Sequence, residues 1–371
     1  MKRLRVAIVA PSLRILGGQA IQAERLITAW RGDADVEAWI VPVNPVPPRP
    51  FTAAVRVKYL RTVATEATYI PRLVREVARA DLVHVFSASY TSFLLAPLPA
   101  MLIARALGRP VVLNYRSGEA PDHLRRSPIA RAAIGAVINV VPSRFLAEVF
   151  EGFGIEATII PNLIDLSRFR YRERDPLRPR ILSTRNFDAL YNLQCTIRAF
   201  RLVQDRWPGA SLTLVGGGNA DQEAELHRLV AELGARNVSW AGRVHPDAIA
   251  AFYADHDIYL QSPNIDNMPA SVLEAFASGL PVVSTNAGGL PAMLTDGVHG
   301  LLTPPDDHRA LADSVAQLLE NPTRARAFAQ AAQATCRACT WPVVREQWLA
   351  VYRAAAAGLS HRSGLPVPER P

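Results

Sequence analysis

The sequence predicts an α/β protein built from two Rossmann-like, doubly wound domains in series. Three observations carry the prediction. Short runs of β-branched and apolar residues alternate with helical periodicity through both halves of the 371 residues, and strands separated by helices pair in parallel. A charged, proline-bearing stretch without an apolar face, Phe169–Arg180 (FRYRERDPLRPR), interrupts the alternation and reads as a linker. Glycine turns follow a strand in each half, Gly17-Gly18 in the first and Gly216–Gly218 in the second.

In the first half Leu4–Ala10 reads as a strand, Gln19–Ala29 as a helix, Val36–Val41 and Asp81–Phe86 as strands, Ala96–Leu107 as a helix, and Val111–Leu113 and Ile138–Val141 as strands. Pro42–Pro50 reads as an exposed loop, and Pro71 is expected to split the basic stretch Val55–Arg79 into two helices. In the second half Ile181–Thr184 begins a new strand, followed by a helix to about Trp207, a strand over Ser211–Val215 and a helix over Asp221–Leu233. Val238–Ala241, Ile258–Gln261 and Val282–Thr285 read as strands, His308–Glu320 and Trp341–Ala357 as helices. The expected organisation is a first domain over 1–170, a linker over 171–180, a second domain over 181–340, a last helix over 341–357 and a disordered tail over 358–371. Two such domains place a ligand cleft between the carboxyl ends of their sheets.

The composition, 49% hydrophobic and 20% charged, is that of an ordinary soluble protein, and no apolar run reaches the ~18–20 residues of a spanning helix. The basic N-terminus lacks a convincing cleavage site, so cytoplasmic residence is expected. Three cysteines form no framework, and the C-x-x-C of Cys336 and Cys339 sits in an alanine-rich, helical-looking run where packing is the expected role. Residues 1–175 hold 24 Lys+Arg against 15 Asp+Glu, whereas the remainder holds 17 against 18. That asymmetry points to an anionic partner for the first half, and Val55–Arg79 suggests an amphipathic surface that touches a membrane's inner face. A solvated basic face is the plainer reading. No nucleic-acid-binding signature accompanies the charge.

The most informative stretch is 259–305 (YLQSPNIDNMPASVLEAFASGLPVVSTNAGGLPAMLTDGVHGLLTPP). Pro269 suits a first helical position and Gly279 a C-terminal cap. Glu274 then falls among Val272, Leu273, Ala275, Phe276 and Ala277, where a carboxylate costs several kcal/mol unless something donates to it. No basic residue lies between Asp266 and Ala292, so a sugar or ribose diol is a candidate partner, and an arginine from elsewhere is the competing one. Gly17-Gly18 and Gly216 open helix N-termini to an anion, although neither turn has the dinucleotide fingerprint. Arg185, at the end of a strand, would meet a phosphate there.

Together these residues resemble the retaining nucleotide-sugar glycosyltransferases of family four, which have the GT-B fold. The resemblance runs from about Leu4 to Trp348 and is strongest over Val140–Phe169 and Leu212–Pro305. It implies a C-terminal helix that crosses back to the first domain. It assigns Glu274 to the ribose hydroxyls, Asp266 to the transferred sugar, and N–H groups near Ser271 and Val272 to the diphosphate. It also assigns Arg185, Gly17 and Gly18 to the phosphates, and the turn holding Arg243 and Val244 (WAGRV) to the base. Three departures stand out. Tyr191 occupies the place of the family's lysine, six residues after Arg185, leaving Arg198 or Arg185 alone to serve. The first acid is an aspartate rather than a glutamate. Arg116 stands where many relatives have a histidine near the reacting centre, with His84 and His123 as further candidates.

The resemblance implies transfer of a sugar from a nucleoside diphosphate to a glycan, glycolipid or small-molecule acceptor with retention of configuration, without a metal or other cofactor. A sugar-nucleotide epimerase or hydrolase of the same fold, or a non-catalytic donor-binding partner, are the alternatives.

Overall fold

The computed structural model describes residues 3–14, 17–46 and 58–359, the side chains of 58–61 excepted. The chain divides into two compact units, Met1–Leu163 with Trp341–Pro371, and Ile164–Thr340. Each is a doubly wound α/β unit around a six-stranded parallel sheet.

The first unit's strands are β1 (Leu4–Ala10), β2 (Val36–Pro42), β3 (Leu82–Ser87), β4 (Val111–Tyr115), β5 (Ile138–Val141) and β6 (Thr158–Ile159), in the spatial order β2-β1-β3-β4-β5-β6. The strands read as continuous apolar runs because both faces are covered: Val6 to Ala10 are each 0% exposed. Two apolar clusters lie against this sheet, one holding Tyr69, Leu73, Val77 and Phe93, the other Trp30, Trp348 and Tyr352. The last helix, Trp341–Ala356, belongs to this unit. Its Arg345 pairs with Asp33 and Asp35, each at 2.7 Å, and Trp341 meets Trp30 edge-on at 4.6 Å.

The second unit contains β7 (Arg180–Thr184), β8 (Ser211–Val215), β9 (Val238–Gly242), β10 (Ile258–Leu260), β11 (Val282–Thr285) and β12 (Leu301–Thr303), ordered β12-β11-β10-β7-β8-β9. The chain winds outward from β7 through β9 and then returns to β10 on β7's other side. The sheet therefore has its switch point between β7 and β10, the place where sheets of this kind bind ligands. Helix Ala270–Ser278 is buried along its whole length, and Gly279 ends it in the left-handed conformation, φ 77°. Pro269 is its N-cap residue rather than its first helical one.

Several elements differ from the sequence reading. Lys58–Arg79 is one helix with Pro71 inside it. Proline removes one backbone bond, but Tyr69, Leu73 and Val77, all 0% exposed, hold the segments on either side of it to the same core. The stretch expected as a linker, 171–180, is irregular but firmly attached within the second unit, and the change of unit falls earlier, at Leu163. Arg172 and Arg180 both bind the buried Asp257, at 2.8 and 2.9 Å, while Arg174 donates to the carbonyls of Tyr253, His256 and Ser278. Those carbonyls lie at the C-terminal ends of helices Ile249–Asp255 and Ala270–Ser278, where a cation is favourable. Its charges thus serve as anchors instead of solvating a spacer. The two-residue β6, the three-residue β12 and helices Ala120–Arg126, Pro128–Gly135 and Pro322–Thr335 had not been separated from their surroundings. Cys336–Cys339 is a single 3-10 turn with both thiols buried. No helix of the described residues is long and apolar enough to cross a membrane. The expected loop beyond Val46, the start of the basic stretch at 55–57 and the tail from 360 lie outside the described residues.

Candidate functional site

The second unit's switch point gathers most of the predicted residues. Arg185 follows β7, Asp266 lies on the loop after β10, and Ser271 and Glu274 are on the helix that succeeds it. Arg185 Nη2 donates to Asp266 Oδ2 at 2.5 Å and Nη1 to Ser271 Oγ at 3.1 Å. Its guanidinium carbon stands 3.8 Å from the centre of the Tyr191 ring, and Nε has no hydrogen-bond partner among the described residues. Burial disfavours this cation, but the Asp266 charge, with the tyrosines Tyr191, Tyr259 and Tyr253 assisting, lifts its pKa above the ordinary arginine value. Arg185 therefore stays charged in a largely desolvated place.

Glycines hold the loops close. Gly216, φ 147°, ends β8 with its Cα against Arg185: a Cβ there would lie 2.0 Å from the Arg185 carbonyl oxygen. At Gly288, φ 58°, a Cβ would lie 2.1 Å from the Asp266 carbonyl oxygen, and the Gly289 N–H donates to that same oxygen at 2.9 Å. The Asp266 loop is thus braced from below by a turn that only glycine permits.

Glu274 is 6% exposed. The hydroxyl of the fully buried Tyr253 donates to the Ser271 carbonyl at 3.2 Å and lies 2.6 Å from Thr184 Oγ1, with the Glu274 charge close by. Burial, then the Glu274 charge, push the Tyr253 pKa well above its ordinary value, so the phenol keeps the proton it offers. Tyr253 joins the end of β7 to the helix bearing both Ser271 and Glu274. Neither Tyr253 nor the Tyr191 stack was anticipated: both contacts depend on loops that the fold brings together, and a tyrosine in an apolar run gives no distinguishing pattern.

The other expected donor contacts are mixed. The N–H of Val272, expected to be offered to a ligand, donates to the Pro269 carbonyl at 3.2 Å, and its side chain is in the core. A short N-terminal turn uses that donor internally. Arg243 is exposed, close enough that a Cβ on Gly217 would lie 3.0 Å from it, and Val244 packs against the apolar cluster beneath. Arg198 is exposed on helix Leu193–Arg206, and it is Tyr191 that meets Arg185.

In the first unit the switch point lies between β1 and β3. Gly17 and Gly18 begin helix Gly18–Ala29 with nothing within 4 Å of a hypothetical Cβ, so the protein's own packing does not demand glycine there. Arg116, just after β4, is half-buried; it donates to the side-chain Oδ1 of Asn162 rather than to a carboxylate, and its guanidinium lies over Phe86 at 5.4 Å. Burial lowers its pKa to about 9. His84 is not a site residue. It is 0% exposed, bonded to the Tyr352 hydroxyl at 2.7 Å and packed on Trp348, and burial with the nearby Arg116 charge depresses its pKa to about 3. His123 is likewise internal, 2.8 Å from the Tyr115 hydroxyl.

Comparison with known proteins bears on the family and the fold. The family model described as Glycosyltransferase Family 4 matches residues 16–168, and Glycosyl transferases group 1 matches residues 168–335. Phosphatidyl-myo-inositol mannosyltransferase of Mycobacterium tuberculosis is 30% identical over 218 residues, 56% of each chain, so the match spans about half that relative's length. The GDP-mannose-dependent alpha-(1-6)-phosphatidylinositol monomannoside mannosyltransferase of Mycolicibacterium smegmatis is 28% identical over 310 residues, 76% of this chain and 78% of the relative. Among solved structures, Anabaena HepE in complex with UDP and glucose superposes with a TM-score of 0.74 over 95% of this chain and 100% of its own, at 18% identity.

Proposed function

The chain belongs to glycosyltransferase family four, with the GT-B fold, and on that premise we propose that it transfers a sugar from a nucleoside diphosphate to an acceptor hydroxyl with retention of configuration. The carrying observation is the pairing, at one switch point, of a buried carboxylate backed by a phenol with a desolvated arginine held by an aspartate. In this reading Glu274 accepts from a ribose diol, and Arg185 donates to the diphosphate. Engagement of the diphosphate frees Asp266 to receive hydroxyls of the transferred sugar.

In this reading the bond from the anomeric carbon to the diphosphate oxygen breaks and its electron pair leaves with the diphosphate. The acceptor oxygen bonds to the same face of that carbon, and its proton passes to the departing diphosphate. No side chain is needed as nucleophile; the protein contributes positioning and charge stabilisation. On this account Arg185 is the group that holds the leaving diphosphate, and no metal is invoked.

For the acceptor we propose a lipid-borne hydroxyl presented at the cytoplasmic face of a membrane. Support comes from the phosphatidylinositol-based names of the mycobacterial relatives and from helix Lys58–Arg79, on which Val63 and Val74 are exposed beside Arg72, Arg75 and Arg79. A thermal-shift screen of UDP-, GDP- and ADP-sugars, followed by mass-spectrometric assay with the stabilising donor, tests the reading. Stabilisation by one donor and a glycosylated lipid product are expected. Free epimerised or hydrolysed sugar, or binding without turnover across an acceptor panel, contradicts it.

A further inference from the structure

The residue that stands in the lysine position has a definite place in the structure. Tyr191 closes a 3-10 turn, Ala189–Tyr191, capped by Asp188, whose Oδ1 accepts from the Leu190 N–H at 3.1 Å. The next residue, Asn192, is left-handed at φ 44° and caps helix Leu193–Arg206 through its side chain. A non-glycine residue held there signals a local conformation enforced by its surroundings. Those surroundings are the Asp266 loop: the Asn264 N–H donates to the Leu190 carbonyl at 2.8 Å, and Ser262 Oγ donates to the Asn192 carbonyl at 2.7 Å. The turn is therefore fastened to the segment that supplies Arg185's carboxylate.

We propose that Tyr191 is a positioning residue for the diphosphate of the donor, its ring fixing the Arg185 guanidinium so that one cation serves where a pair would otherwise be required. The inference rests on the donor-site reading above. The ring centre lies 3.8 Å from the guanidinium carbon of a side chain only 9% exposed. A cation–π contact is strongest when desolvated in this way, and its face-on geometry leaves the guanidinium edge free for hydrogen bonds. Asp266 and Ser271 occupy part of that edge, and Nε is unpartnered. Arg185 has five N–H groups, so it can keep Ser271, exchange Asp266 for phosphate oxygens and use Nε without rotating off the ring. A second cation would add charge; the ring instead limits the freedom the first must lose on binding.

The test is calorimetric titration of the full chain with UDP, GDP and ADP and with the corresponding monophosphates, in wild type, Tyr191→Phe and Tyr191→Leu. For the preferred diphosphate, Tyr191→Phe should stay within about twofold of wild type and Tyr191→Leu should bind about 10- to 30-fold more weakly. Monophosphate affinity should be unchanged in both. Equal diphosphate binding by Tyr191→Leu and wild type overturns the inference while leaving the donor site intact. So does an equal loss for mono- and diphosphates, which marks a general structural role, or a Tyr191→Phe defect as large as that of Tyr191→Leu. Failure of wild type to bind any of the diphosphates removes the donor-site reading and this inference together.

Discussion

The two units share an architecture, a doubly wound six-stranded parallel sheet, but differ in strand order and at their switch points. In the second, Arg185 is joined by short contacts to Asp266 and Ser271, Tyr253 to the Ser271 carbonyl, and glycines at 216 and 288 allow the loops to close on them. In the first, Gly17 and Gly18 border open space, and Arg116 has an amide for a side-chain partner. The contrast teaches where preorganisation resides. At the second sheet's switch point Arg185 already has a carboxylate partner, Asp266. In the first unit Arg116 donates to an amide oxygen and lies over Phe86, and the buried histidine belongs to the core.

The largest test of that contrast is Arg185→Ala. Removing a preorganised cation from the leaving group should lower kcat by ~10²–10³, with a smaller loss of donor affinity, in steady-state kinetics with the cognate pair. The reverse split would mean Arg185 grips the ground state and does not assist departure. A smaller effect is expected at Tyr253→Phe, which leaves packing intact but removes the hydroxyl that ties Thr184 to the Ser271 carbonyl beside Glu274. Donor KM should rise about three- to tenfold, the value of one neutral hydrogen bond, with kcat nearly unchanged. A fall in kcat at constant KM would place Tyr253 in the chemistry instead.

The smallest effect concerns the first unit alone and leaves activity at neutral pH untouched. The folded-state pKa of His84 is about 3, below its unfolded value near 6.5. Between those values the unfolded chain takes up a proton that the folded chain refuses, so stability from this group is present above pH 6.5 and is lost as pH falls toward 3. Thermal melts at pH 7 and pH 5 should therefore show a larger drop in Tm for wild type than for His84→Asn. Equal drops would show that His84 is not excluded from protonation.

How much of this was readable in advance followed physical lines. Strands covered on both faces announce themselves as apolar runs, so β1, β5, β8 and β11 were placed within a residue. Glu274 drew notice because an acid in an apolar helix is costly enough to need a reason, and the fold does bury it, whereas Asp266 on its loop carried no such signal. His84 was misplaced because a histidine within a strand looks the same whether it faces a ligand or a helix. The helix residue it bonds, Tyr352, lies 268 positions away. The 171–180 segment misled for the same reason: its arginines read as solvated until Asp257 and two helix ends were found beside them.

The most direct measurement compares binding of the preferred nucleoside diphosphate with its 2′,3′-dideoxy counterpart, by calorimetry, in wild type and Glu274→Ala. If the buried carboxylate holds the ribose diol, wild type should lose at least about tenfold in affinity for the dideoxy ligand, and the variant should bind both equally weakly. Equal affinity of wild type for the two ligands would contradict the account.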